Sequence, residues 1–146
     1  MNARARLAAV AALMAVSSSC AGDGTGLDEF GNPLGPPGTA LEPTLSSIQQ
    51  HIFTAICIQC HSGAAAPLGL ALNTGLSWSN LVGMSSVEVP ELLRVNPGDP
   101  ESSYIVWKIE GRSGIVGARM PLGLAPLSDE QIAAIRGWIA DGAQDN

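Results

Sequence analysis

Seventeen residues near the end of the chain, Gly111 to Leu127, read "GRSGIVGARMPLGLAPL" and follow neither a helical nor a strand period. A stretch this rich in Gly and Pro packs poorly alone, and a long structureless loop inside a small domain counts against itself unless it has a job. The chain has 146 residues, one domain's worth, with 46% apolar residues, 17 Gly and 10 Pro. There is enough apolar side chain for a core, yet much of the backbone is committed to irregular connections. Such a chain calls for something besides its own side chains to complete the interior.

The segments around that loop are helical. In "LSSIQQHIFTAI", Ile48, Ile52 and Ile56 recur every four residues beside Phe53, with Ser46 as expected N-cap and Gln49 completing a capping box. "SWSNLVGM" reads as a short helix capped by Ser77, and "VEVPELLRV" is ambiguous between strand and irregular chain. In "GDPESSYIVWKIEG", Asp99 is the expected cap, Pro100 the first helical residue and Gly111 the stop, with Tyr104, Ile105, Trp107 and Ile109 as the apolar face. The last helix is the clearest. Ser128 and Gln131 form a capping box, Asp129 and Glu130 suit the positive helix end, Gly142 ends it, and Ile132, Ile135, Trp138 and Ile139 make its buried stripe. The expectation is an all-α domain of about four short helices.

The N-terminus has a different character. Arg4 and Arg6 precede "LAAVAALMAV" and the small residues "SSSC" close the run at Cys20, the layout of a secretory signal peptide over residues 1–19. Its apolar run of ten residues is far short of the roughly 20 that a membrane span needs. Cys20 resembles a bacterial lipoprotein cleavage site, although Ser17 stands where an aliphatic residue is usual; ordinary cleavage nearby is the alternative. Residues 20–43, dominated by Gly, Pro and small or acidic side chains, then read as a lipid-anchored flexible linker, and residues 44–146 as the domain. The chain carries 13 acidic and 7 basic residues, a net charge of -6, with no basic cluster. That balance argues against nucleic-acid binding.

Lipidation at Cys20 would leave two cysteines in the domain, in "CIQCH", with His61 directly after Cys60. A thioredoxin-like redox pair belongs near a βαβ pattern, and none surrounds Cys57 and Cys60. Zinc wants four ligands, His51 is the only other histidine, and the adjacency of Cys60 and His61 makes joint ligation of one tetrahedral ion awkward. A structural disulfide is a further possibility in an exported protein. Covalent haem explains the spacing best: thiols bond the edge of the macrocycle while the imidazole reaches its centre. Met120, in the long loop 59 residues after His61 and stiffened by Pro121, offers a soft thioether that suits low-spin iron. Its other reading is a core methionine, and Met84 and His51 are weaker ligand candidates.

With these residues, the chain resembles the small monohaem class I cytochromes c, more narrowly exported bacterial cytochrome-c-like domains. The likeness spans roughly Leu45 to Ala143: the helix before "CIQCH", "PLGLAL", "VNPGDPESSYIVWKI", the "ARMP" turn and "LSDEQIAAIRGWIADGA". The resemblance implies a cytochrome c fold around one haem c, with crossing first and last helices. It also implies thioether bonds at Cys57 and Cys60, His61 as proximal iron ligand and Met120 as distal ligand. By the same likeness Pro67, Leu68 and Leu70 cover one face of the ring. Trp107 and Phe53 are candidates to line the pocket, whereas Trp138 and Tyr104 pack between helices. Arg119 either meets a haem propionate or is a solvated loop charge.

A haem with both axial positions filled by protein exchanges electrons and does not act as an enzyme. The expected function is a periplasmic or cell-surface electron carrier, tethered to a membrane at Cys20 or else soluble in the periplasm. Its redox partner would present a basic docking face. Two alternatives are a haem sensor or enzyme subunit with a displaceable distal ligand, and a structural haem lipoprotein in a larger assembly.

Overall fold

The computed structural model describes residues 41–146. The signal peptide, Cys20 and most of the linker expected from the sequence lie outside the described residues. Four α-helices follow one another, α1 (Leu45–Ile48), α2 (Ser77–Leu81), α3 (Tyr104–Glu110) and α4 (Asp129–Ala140), and no strand occurs among the described residues. The described chain is therefore all-helical. None of its helices is long and apolar enough to cross a membrane.

The first helix is split. α1 continues directly into a π-helical turn, Gln49–Phe53, and a 3₁₀ turn follows at Cys57–Gln59. Thr44 caps α1, its hydroxyl accepting from the Ser47 amide at 3.3 Å, so the cap lies two residues before the expected Ser46. Gln49 forms no capping box. It is buried, and its amide instead donates to the Leu72 carbonyl at 2.9 Å and to Thr54 Oγ1 at 3.1 Å.

α2 begins at Ser77 without a side-chain cap; the Ser77 hydroxyl is turned inward. The ambiguous segment after it is irregular chain held by isolated bridges, Val82 with Val95, Ser85 with Leu93 and Leu93 with Ser103. α3 starts four residues later than Pro100. Asp99 closes the preceding turn, accepting from the amides of Glu101 at 3.0 Å and Ser102 at 3.2 Å, and Ser103 takes the N-cap position. Gly111 ends α3 in the left-handed conformation, φ 71°, which glycine adopts without a Cβ penalty. The buried side of α3 is Tyr104, Val106, Lys108 and Ile109, so Ile105 and Trp107 lie nearer its edge than the apolar spacing implied.

α4 follows its sequence signals closely. Ser128 and Gln131 form the reciprocal capping box, at 3.2 Å and 2.9 Å; Ala134, Ile135, Trp138 and Ile139 are buried, while Ile132, expected in the stripe, is only partly buried against the core. α4 packs on both α1 and α3. Their shared core gathers Ile48, Ile52, Phe53, Leu81, Val95, Val106 and the α4 stripe. Each of these large side chains contributes about 1.5–3 kcal/mol by leaving water. Leu41, assigned from sequence to the linker, packs against the same core.

Candidate functional site

Cys57, Cys60 and His61 share one tight turn. The Cys57 carbonyl accepts from the Cys60 amide at 3.2 Å and from the His61 amide at 2.9 Å, which fixes the three residues on successive steps of the chain. Both cysteines are free thiols, Cys57 half-buried and Cys60 exposed. Burial pushes the Cys57 thiol up to about 11, so it is protonated at neutral pH. Among the described residues no three His, Cys, Asp or Glu side chains converge on a point where they could hold a metal ion directly.

The imidazole of His61 is oriented by the backbone. Its Nδ1 lies 3.0 Å from the Leu70 carbonyl oxygen. A carbonyl only accepts, so Nδ1 carries a proton, and in the neutral ring Nε2 is then the nitrogen with a lone pair for a ligand. This is the arrangement that fixes tautomer and ring direction in metal-binding histidines. The acceptor is itself well anchored: Leu72 N donates to the His61 carbonyl at 2.8 Å, and Gly63 N donates to Asn73 Oδ1 at 2.9 Å. The intervening 3₁₀ turn, Pro67–Gly69, holds Leu68 at φ 55°, a left-handed conformation that costs a non-glycine residue about 1–2 kcal/mol. Arg94 clasps the same turn, donating to the Leu68 carbonyl at 2.7 Å and to Asn80 O at 2.8 Å.

Met120 stands on another segment, the loop after α3, and is half-buried. Its amide donates to the Lys108 carbonyl at 2.8 Å. The Arg112 amide, which would continue the helix to that carbonyl, bonds Trp107 O instead. The orphan carbonyl at the end of α3 is thus satisfied by the loop. Met84 is 47% exposed and lies in the bridged segment. His51 is a helix-surface residue whose Nδ1 donates to the Ser47 carbonyl at 2.9 Å.

The other candidates take varied places. Phe53 and Trp138 are core residues, and the indole N–H of Trp138 donates to Gln144 O at 2.8 Å. Trp107 is half-buried, donates to Glu101 O at 2.6 Å and lies against Gly114 in the loop. The stem of Arg119 covers Gly111. Tyr104 packs between elements and uses its hydroxyl, which accepts from the Val116 amide at 3.0 Å and donates to Glu88 Oε2 at 2.8 Å. Sequence reasoning missed the Leu70 carbonyl and the roles of Lys108 and Glu88. The only sequence sign of Lys108 is a charge set amid the apolar residues of "YIVWKIE".

The residues fit a covalently held haem. Two free thiols precede, in the same turn, a histidine whose Nδ1 bonds a carbonyl and leaves Nε2 for a ligand, which is the donor set such a group uses. Four large apolar residues stay exposed on the two relevant segments: Leu68 at 52% after the histidine, and Val116, Leu122 and Leu124 at 50–66% around Met120. Leu76, Trp78, Met84 and Val87 are likewise exposed on other segments, so exposure alone does not single out these two. The chain matches no protein-family model, no curated protein and no solved structure.

Proposed function

We propose that this domain is a monohaem c-type cytochrome that carries single electrons, with a cytochrome c fold closing around the group. The observation that carries the reading is the His61 Nδ1–Leu70 O hydrogen bond, which prepares one imidazole nitrogen for metal beside two unpaired thiols. Cys57 and Cys60 would hold haem c by thioether bonds, His61 would bind iron through Nε2, and Met120 would bind the opposite face. Bound haem supplies a reversible one-electron iron couple.

The chain's own residues supply the rest. Leu70 keeps His61 aimed by accepting the Nδ1 hydrogen bond. The thioether of Met120 favours the reduced state and so raises the potential. The apolar side chains of Leu68, Val116, Leu122 and Leu124 would exclude water from the ring, which limits the reorganisation that an electron transfer requires. With His61 and Met120 both holding the iron, no site for a substrate would remain there, and the domain would be a carrier rather than an enzyme. Export and lipidation at Cys20 would tether it on the periplasmic side or at the cell surface. The acidic balance of the chain suits a redox partner with a basic docking face.

An absorption spectrum of the exported protein, ferric and reduced, before and after denaturing extraction, tests this directly. Haem that stays with the polypeptide, with the weak far-red ferric band of methionine ligation, is the expected result. Haem without that band would favour a sensor or enzyme subunit with another distal partner. Absence of haem from protein made in a host with working attachment machinery would overturn the proposal.

A further inference from the structure

We infer that Lys108, Tyr104 and Glu88 are positioning residues for Met120, a polar clasp that fixes the loop from the α3 side; the inference rests on Met120 being the distal haem ligand. Lys108 holds the loop at two points. Its Nζ donates to the Val116 carbonyl at 2.8 Å, and its own carbonyl accepts from the Met120 amide at 2.8 Å. Tyr104 takes the other backbone group of Val116, the amide, at 3.0 Å. Both polar groups of one loop residue are thereby captured by side chains of a single helix, four residues ahead of Met120.

Glu88 completes the clasp from a different segment. Its Oε2 accepts from Tyr104 Oη at 2.8 Å and from Lys108 Nζ at 3.1 Å. The directions are all consistent: Tyr104 spends its one proton on Glu88 and so must accept from Val116 N, while Lys108 spends protons on Glu88 and on Val116 O. Lys108 is 8% exposed and Tyr104 5%. A buried ammonium is expensive unless paired and hydrogen-bonded, and a packed network of this kind has essentially one arrangement. The remaining anchors of the loop's first half lie before Val116: the Arg112 ion pairs with Glu101 and Glu110, and Trp107 against Gly114. A surface lysine would carry none of this, which is why burial, not charge, marks Lys108 as functional.

The test uses the haem-loaded full chain and two variants. Tyr104→Phe removes a single oxygen atom from the clasp, and Lys108→Met keeps the apolar stem while removing the ammonium. Amide exchange at Val116 reads the clasp itself; the far-red ferric band and the rate of carbon monoxide binding to the reduced protein read whether Met120 stays in place. In both variants Val116 should exchange about tenfold faster, and carbon monoxide should bind about tenfold faster as the methionine leaves more often. Haem should remain covalently attached in each. Unchanged exchange in Tyr104→Phe overturns the clasp. Faster exchange with an unaltered band and unaltered carbon monoxide binding reduces it to a loop tie without influence on the ligand, which also overturns the inference. Should Lys108→Met fail to fold, Tyr104→Phe decides alone. Wild-type protein lacking covalent haem refutes the proposed function itself, and that result is read before either variant is made.

Discussion

The Ser77 hydroxyl donates a 2.6 Å hydrogen bond to the side-chain oxygen of Gln49, and both residues are buried. Through this pair the π-helical turn before the cysteines is locked to α2. The Gln49 amide nitrogen reaches on to the Leu72 carbonyl, on the chain segment that returns from His61. One glutamine therefore ties three segments around the site. Gln49→Leu should leave the Ser77 hydroxyl and the Leu72 carbonyl without their partner and cost about 2–3 kcal/mol. Urea unfolding followed by tryptophan fluorescence measures this, and a loss under 0.5 kcal/mol (about the effect of an ordinary surface change) would show that water replaces the amide.

In the haem-free protein the two thiols should differ sharply in reactivity. Cys60 is exposed, whereas burial holds Cys57 up to about 11 and leaves roughly one part in a thousand as thiolate at pH 8. Iodoacetamide at pH 8 should label Cys60 first. Labelling of Cys57 should rise about tenfold for each pH unit up to about 11, in proportion to its thiolate. Peptide mass spectrometry over a pH series distinguishes this from equal labelling, which would mean that the turn opens freely.

If the proposed function holds, Met120→Ala should leave haem attached, since the thioether bonds would come from Cys57 and Cys60. The expected changes are loss of the far-red band and a fall in potential as the soft ligand disappears. Met84→Ala serves as the control and should alter neither quantity. An unchanged spectrum in Met120→Ala would transfer the distal role to another side chain.

Gly111→Ala should be costly for two separate reasons. The position has φ 71°, and an added Cβ would lie 2.9 Å from Arg119 Cδ. The left-handed backbone alone costs about 1–2 kcal/mol with a Cβ. The displaced Arg119 immediately precedes Met120, so the variant should also perturb the far-red band, a pairing of effects that a thermal melt and a spectrum together can check.

Acid should loosen the junction of α3, α4 and the segment before α3. The Arg136 and Arg112 guanidiniums hydrogen-bond Glu101 and hold its carboxyl below the usual range. A depressed folded-state value means that the contribution is present above the ordinary carboxylate range and is lost as pH falls through the lowered one. Glu101→Gln should therefore flatten the acid limb of a stability-versus-pH curve. An acid limb identical to wild type would assign the loss to other carboxylates.

Much of this could be read from residue order, and what could not has a physical explanation. α4 carries every signal it uses: Ser128 and Gln131 at the start, the four-residue apolar spacing, and glycine at the end. The grouping of Cys57, Cys60 and His61 in one turn was legible because it follows from side chains at fixed spacing. The aim of His61 was not, since a backbone carbonyl at Leu70 has no residue-type signature. Ser46 and Thr44 are both competent caps, and only the onset of burial at Leu45 selects Thr44. Asp99 serves a turn rather than a helix because Ser103 and Tyr104 must face inward, which delays α3. Lys108 and Gln49 were hidden for the same reason: long polar side chains on helices ordinarily face water, and these two are buried because the backbone around them needs partners.

Asn146 helps cap α1. Asn146 accepts from the Leu45 amide through its side chain at 2.9 Å and from the Ser46 amide through its main chain at 2.8 Å. The ends of the described domain therefore lie side by side, and a short linker from 146 back to 41 could close the backbone into a ring. Such a ring can be reopened elsewhere. New termini at the exposed Leu122–Gly123 peptide would leave "CIQCH" and Leu70 on uninterrupted chain, and would leave Met120 attached only through α3. A circular permutant of that design turns the distal ligand into a tethered arm, and so separates the part of the domain that would retain a haem from the part that would tune it.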